Sequence, residues 1–182
     1  PAYTTWNRSL GDNSNSRFTA LDQINRENVA DLQVAWEYRS GDGEGNIQCN
    51  PVIVGDTLYT PVPSESLVAL DARTGIEKWS FKGDGRPAHR GLTYWPGDDS
   101  HAPRILVNVG KELWALDPDT GMPVTDFGKG GRIVTGEVRV ASAVYQHVVI
   151  LPGYEKDIFG YDVVSGNLLW TFHTIPQPGE FG

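Results

Sequence analysis

The chain has 182 residues with 21 Gly, 12 Pro and six Trp, the size of one ordinary domain and a composition suited to a turn-rich all-β protein. A formal charge of −8 argues against nucleic acid or an anionic membrane as the main partner. Cys49 is the single cysteine, which excludes an internal disulfide, a cysteine-based metal cluster and a C-x-x-C-H haem attachment.

The opening P-A-Y-T-T-W-N lacks the basic and apolar regions of a signal peptide, and no apolar run approaches transmembrane length. That start suits either a cytosolic protein or an exported one already trimmed. Residues 1–31 are polar and rich in turn-formers, and are expected as an irregular lead-in. Residues 32–38 then alternate Leu32, Val34, Trp36 and Tyr38, the period of a strand with bulky residues on one face. This strand is expected to close a blade whose other strands do not precede it.

Three further blades are expected, at about 44–81, 104–127 and 133–172, with residues 82–103 as an inserted segment and 173–182 as a connecting tail. Their common signature is a repeat. Asp71 opens D-A-R-T-G-I-E-K-W-S-F, Asp117 opens D-P-D-T-G-M-P-V-T-D-F and Asp162 opens D-V-V-S-G-N-L-L-W-T-F, so the aspartates stand 46 and 45 residues apart. An Asp can accept hydrogen bonds from amides two and three residues on, and Gly takes positive φ without a steric cost, so each unit reads as strand, turn, strand. Trp79 and Phe81, and Trp170 and Phe172, are two apart and share a face, where large rings would fill the wedge between adjacent sheets. The second copy carries Thr125 in place of the Trp, so its closing strand, near Phe127, is expected to be weak. In-phase repeats with this period predict a β-propeller of four-stranded antiparallel blades. About three blades plus one closing strand cannot close a ring that usually needs about four to eight, so the chain is expected to need the remaining blades, or another copy of itself, to complete one.

The repeat A-L-D-A-R-T-G-I-E-K-W-S-F, the entrance S-N-S-R-F-T-A-L-D-Q-I-N-R-E-N-V, the segment H-R-G-L-T-Y-W-P and the tail W-T-F-H-T-I-P-Q-P-G-E-F-G together resemble the quinoprotein alcohol and glucose dehydrogenases. These depend on pyrroloquinoline quinone (PQQ) and are built as eight-bladed propellers. The resemblance implies oxidation of a sugar or alcohol hydroxyl outside the cytoplasm, in the periplasm. Hydride would pass to PQQ, a calcium ion would polarise the quinone carbonyl, and a respiratory acceptor would take the electrons.

It also implies roles for individual residues. Arg90, in H-R-G-L-T-Y-W, matches an arginine that contacts a PQQ carboxylate, where a guanidinium can make bidentate hydrogen bonds. Gln48, in N-I-Q-C-N-P, falls where relatives place a Glu or Gln on the cofactor. Ser142 lies near a Ser or Thr that binds PQQ, and Glu155, with Asp157 as competitor, lies near the calcium-ligating glutamate. No residue is nominated as the catalytic base, since that aspartate and a stacking tryptophan belong to later blades; the isolated piece is therefore expected to be inactive. The adjacent-cysteine disulfide of some relatives is impossible here, because Asp84, Gly85 and Arg86 occupy its place. His89, His101, His147 and His173 show no metal-ligand spacing, although His89 precedes Arg90 and could face the same cavity. Asp98 and Asp99 read as a solvated turn, and Trp114 as strand packing. The alternative from another class is a non-catalytic propeller scaffold of the outer-membrane assembly type, making protein contacts through the same repeats.

Overall fold

A computed structural model describes residues 6–8, 10–11, 16–41, 48–63, 65–153 and 157–180. Within them the chain forms three four-stranded antiparallel sheets, each with its strands in sequence order. The first contains β1 (Val52–Val54), β2 (Thr57–Thr60), β3 (Leu67–Asp71) and β4 (Glu77–Phe81). The second contains β5 (Thr93–Trp95), β6 (Arg104–Val109), β7 (Glu112–Leu116) and β8 (Arg132–Val134), and the third β9 (Ala143–Tyr145), β10 (Val148–Pro152), β11 (Ile158–Asp162) and β12 (Leu168–Phe172). No helix among the described residues is long and apolar enough to cross a membrane.

The repeated aspartates build the same turn three times. Asp71 Oδ1 accepts hydrogen bonds from the amides of Arg73 and Thr74 and from the Thr74 hydroxyl, at 3.0, 2.9 and 2.9 Å. Asp117 accepts the matching set from Asp119 and Thr120, and Asp162 from Val164 and Ser165. The glycine that follows sits at φ +71°, +71° and +75° in the three copies, a conformation that a side chain would strain.

Strand alternation decides which neighbour each sheet meets. In β6, Ile105, Val107 and Val109 join Val52, Tyr59, Leu67 and Ala69 of the first sheet, while Leu106 joins Val149, Leu151 and Val163 of the third. β7 splits likewise, with Trp114 and Leu116 toward the first sheet and Leu113 and Ala115 toward the third. The two central strands of the middle sheet, β6 and β7, are thus buried on both faces, which is why they read as nearly continuous apolar runs. On the third sheet, Trp170 and Phe172 remain 39% and 59% exposed on a face that nothing covers. The three sheets do not close on themselves.

Three local expectations change. The segment 82–103 is not simply an insertion, because it contains β5, the first strand of the second sheet. The closing strand of that sheet is Arg132–Val134 rather than a stretch near Phe127. With no indole at Thr125, the chain turns inward; Phe127 becomes fully buried between the second and third sheets, and Ile133 packs where a Cβ on Gly166 would fall, 2.7 Å away. Residues 32–38 make no strand ladder among the described residues. Trp36 and Tyr38 instead anchor them by side chain on Val62, Val68 and Leu70, with the Trp36 indole donating to the Ala72 carbonyl at 3.2 Å.

Candidate functional site

The chain enters the first strand of each sheet from the same end, and the three entries converge. Gln48 precedes β1, Arg90 precedes β5 and Ser142 precedes β9, and all three line one cleft of about 600 Å³. The Asp-Gly turns lie at the opposite end of the sheets, as the antiparallel registers require.

A local break in pairing presents Arg90. Pro87 bridges Val109, and the Ala88 amide donates to the Asn108 carbonyl at 2.8 Å, so the chain begins along β6. It leaves that edge at His89 to Gly91 and rejoins only at Thr93, opposite Leu106. The Arg90 amide donates to the Arg139 carbonyl at 3.3 Å, and Gly91, at φ +110°, passes close to Cys49 and Asn50. The side chain of Arg90 is therefore carried on a short protrusion, exposed toward the cleft rather than engaged in the ladder.

Ser142 is 7% exposed, and its environment is specific. Its hydroxyl donates to Thr93 Oγ1 at 3.2 Å, and Thr93 Oγ1 donates in turn to the Ser142 carbonyl. The Ser142 oxygen keeps lone pairs for a ligand while the pair locks the second sheet to the third. Thr93 does not stand out in the sequence, since a threonine starting a strand is unremarkable until its partner is known.

Sequence reasoning also missed Arg8 and Arg17, which line the same cleft from the lead-in. Arg17 stands inside the entrance motif S-R-F-T-A-L-D-Q-I-N, but nothing in the residue pattern says that the lead-in folds back over the first strands. The hydrogen bond from the Ile53 amide to the Trp6 carbonyl, at 2.8 Å, is what ties it there.

Glu155 lies outside the described residues. Asp157, its competitor, stands 4.0 Å from His173, which also contacts Glu180 at 2.6 Å. Among the described residues no group of three or more His, Cys, Asp or Glu is arranged to hold a metal ion. His89 lines an adjoining cleft of about 440 Å³ with Glu137 and Arg139, not the one that Arg90 lines. Asp98 does form a turn, but it is partnered: it accepts from the Ser100 and His101 amides, and His101 and His147 both reach its carboxylate, at 2.9 and 3.3 Å. The Ser100 amide, then the His101 imidazole and amide, hold the Asp98 carboxyl below its usual range. Trp114 packs in the core against Phe81 and under the Arg132 guanidinium.

Four-stranded antiparallel sheets with the entries to their first strands gathered around one polar cleft define a portion of a propeller. The family described as "PQQ: glucose/ethanol/alcohol dehydrogenase, beta-propeller domain" matches residues 6–181, and the chain belongs to it. The quinoprotein glucose dehydrogenase A of Acinetobacter calcoaceticus is 31% identical over 87% of this chain and 26% of its own length. The crystal structure of the quinohemoprotein alcohol dehydrogenase from Comamonas testosteroni superposes with a TM-score of 0.72 at 27% identity, covering 97% of this chain and 28% of that one. A quinohemoprotein alcohol dehydrogenase from Pseudomonas putida HK5 superposes with a TM-score of 0.78 at 23% identity over 95% of this chain and 27% of that one, which shows the fold. The chain spans about a quarter of the length of the curated relatives it matches.

Proposed function

We propose that this chain is the cofactor-holding N-terminal part of a PQQ-dependent dehydrogenase that oxidises a sugar or alcohol hydroxyl in the periplasm. The observation that carries the reading is the meeting of Gln48, Arg90 and Ser142 on one cleft, in a chain of the quinoprotein family. The residues present suit the cofactor: PQQ is a planar tricarboxylate, and the cleft offers guanidinium, amide and hydroxyl groups. When bound, PQQ supplies a quinone carbonyl that takes up hydride from the substrate carbinol carbon.

The chain's own residues bind and orient. Arg90 pairs with a carboxylate through two parallel N–H donors. The Gln48 amide could both donate to and accept from the cofactor, and the Ser142 hydroxyl, whose proton goes to Thr93, could accept from it. Calcium enters the reading through Glu155 alone, as a hard cation that takes oxygen ligands. No group of this chain is assigned the substrate proton, and the isolated chain is inactive because base and stacking wall come from other blades. The uncovered face around Trp170 and Phe172 suits a further sheet, which supports completion by more propeller; the family match does not favour a scaffold role.

The test is PQQ titration of the purified chain, read by quenching of its tryptophan fluorescence. Saturable binding that weakens at least tenfold in Arg90→Ala is expected. Unchanged binding in that variant would remove Arg90 from the site, and turnover of glucose or ethanol by the chain with PQQ and calcium would refute the inactivity.

A further inference from the structure

The cleft is more cationic than a single cofactor-contacting arginine requires. Three guanidinium groups, from Arg8, Arg17 and Arg90, line it, and among the described residues no Asp or Glu does, in a chain whose formal charge is −8. Among the described residues none of the three arginines is in an ion pair, nor are Arg26, Arg86 and Arg104, whereas Arg39, Arg73, Arg132 and Arg139 are. A concave surface lined by charge of one sign concentrates the opposite charge.

The lead-in is also held in the conformation that puts two of these groups there. The Ile53 amide donates to the Trp6 carbonyl, fastening the segment beside β1. The Gly11 amide turns back onto the Arg8 carbonyl at 3.1 Å, and the Arg17 amide donates to the Leu10 carbonyl at 3.2 Å. Arg17 itself adopts φ +53°, a left-handed conformation that residues with a Cβ rarely take. The two arginines reach the cleft from one strapped segment, separate in the chain from the protrusion that carries Arg90.

We propose that Arg8 and Arg17 are anion-binding residues of the cleft, so that its ligand is held by three guanidinium groups and must carry several carboxylates. The proposal rests on the PQQ reading for the identity of that ligand and extends it: the polar lead-in is part of the binding site. Arg90 then takes one carboxylate and the lead-in the others. The cleft would favour a tricarboxylate over the same ring system with its acids masked.

The experiment compares the wild-type chain with Arg8→Gln, Arg17→Gln and Arg90→Gln, measuring dissociation constants for three ligands: PQQ, its trimethyl ester and benzene-1,3,5-tricarboxylate. Melting curves identify folded variants, and Arg8→Lys and Arg17→Lys replace any that do not fold. The expected result is about a tenfold weakening of PQQ for each Gln variant and partial recovery in the Lys variants. The weak affinity for the ester should be unaltered by any of the changes, and added salt should narrow the gap between acid and ester. PQQ affinities of Arg8→Gln and Arg17→Gln within twofold of wild type, with Arg90→Gln impaired, would overturn this inference and leave the PQQ reading standing. So would an ester that binds as tightly as the acid. Binding of benzenetricarboxylate that both lead-in variants lose, with no uptake of PQQ, would sustain the anion site and overturn the PQQ reading. Absence of binding by all three ligands would overturn both.

Discussion

Trp79, at the end of the first sheet, lies against Gly121 in the turn of the second: a Cβ on Gly121 would stand 2.5 Å from the indole Cε3. The indole N–H donates to the Pro118 carbonyl at 2.9 Å. Trp36 makes the same contact with Gly75, at 2.5 Å, and donates to Ala72. The first sheet is thus hung on the second, and the 32–38 segment on the first, by one ring and one glycine, whereas Ile133 takes the place of the ring at Gly166 of the third.

Gly121→Ala is expected to cost roughly 2–4 kcal/mol, combining backbone strain at positive φ with overpacking against the ring. Gly130 is the control. It has φ +65°, and a methyl group there would meet nothing within 4 Å, so Gly130→Ala should cost only the strain, about 1 kcal/mol. Urea unfolding midpoints of the two variants measure the difference, and equal losses would show that docking contributes nothing.

Thr93→Val removes a hydroxyl that serves two buried partners, the Ser142 hydroxyl and the Ser142 carbonyl. Stability should fall by about 1–3 kcal/mol, the cost of leaving buried polar groups unpaired. Ser142→Ala orphans less and should cost about 1 kcal/mol. Denaturant titration of both variants gives the order.

Acid should weaken the docking turns. The Thr74 hydroxyl first, then the Thr74 and Arg73 amides, hold Asp71 below the usual 3.8. Partial burial opposes this at Asp162, but the Ser165 amide and hydroxyl outweigh it and the shift is again downward from 3.8. A carboxyl depressed on folding stabilises the fold above its unfolded value and loses that contribution as pH falls through the folded one. Stability should therefore decline below about pH 4, and Asp162→Asn should flatten the decline. His173 behaves oppositely: its hydrogen bond to Glu180 raises it above 6.5, so its support for the tail is complete below pH 6.5 and disappears as pH rises through the folded value. The pH dependence of urea midpoints, with and without His173→Asn, reads both windows.

Glu155→Gln should leave PQQ affinity in EDTA unchanged while abolishing any increase that calcium produces. Isothermal titration with and without calcium decides it. An undiminished calcium effect in the variant would pass the ligand role to another residue.

The third sheet leaves Leu168, Trp170 and Phe172 on an uncovered surface, at 54%, 39% and 59% exposure. The purified chain should self-associate with rising concentration, and Trp170→Glu with Phe172→Glu should return it to monomer. Sedimentation velocity over a concentration series is the check.

Turn chemistry and strand period are local properties, so the residues themselves determined the repeated Asp-to-Gly turn, the strands carrying Trp79 with Phe81 and Trp170 with Phe172, and the all-β class. Arg90 and Gln48 stand out in the sequence because they sit inside contiguous motifs, and the structure brings them to one cleft. Contacts between segments far apart in the chain were decided only by the packed structure. Thr93 meets Ser142 across 49 residues, Ile133 stands against Gly166 where a tryptophan stands against Gly75 and Gly121, and Arg8 and Arg17 of a polar lead-in line the same cleft as Arg90. Those outcomes depend on which faces are left to bury once neighbouring sheets have docked, and that quantity belongs to the assembled sheets rather than to any stretch of sequence.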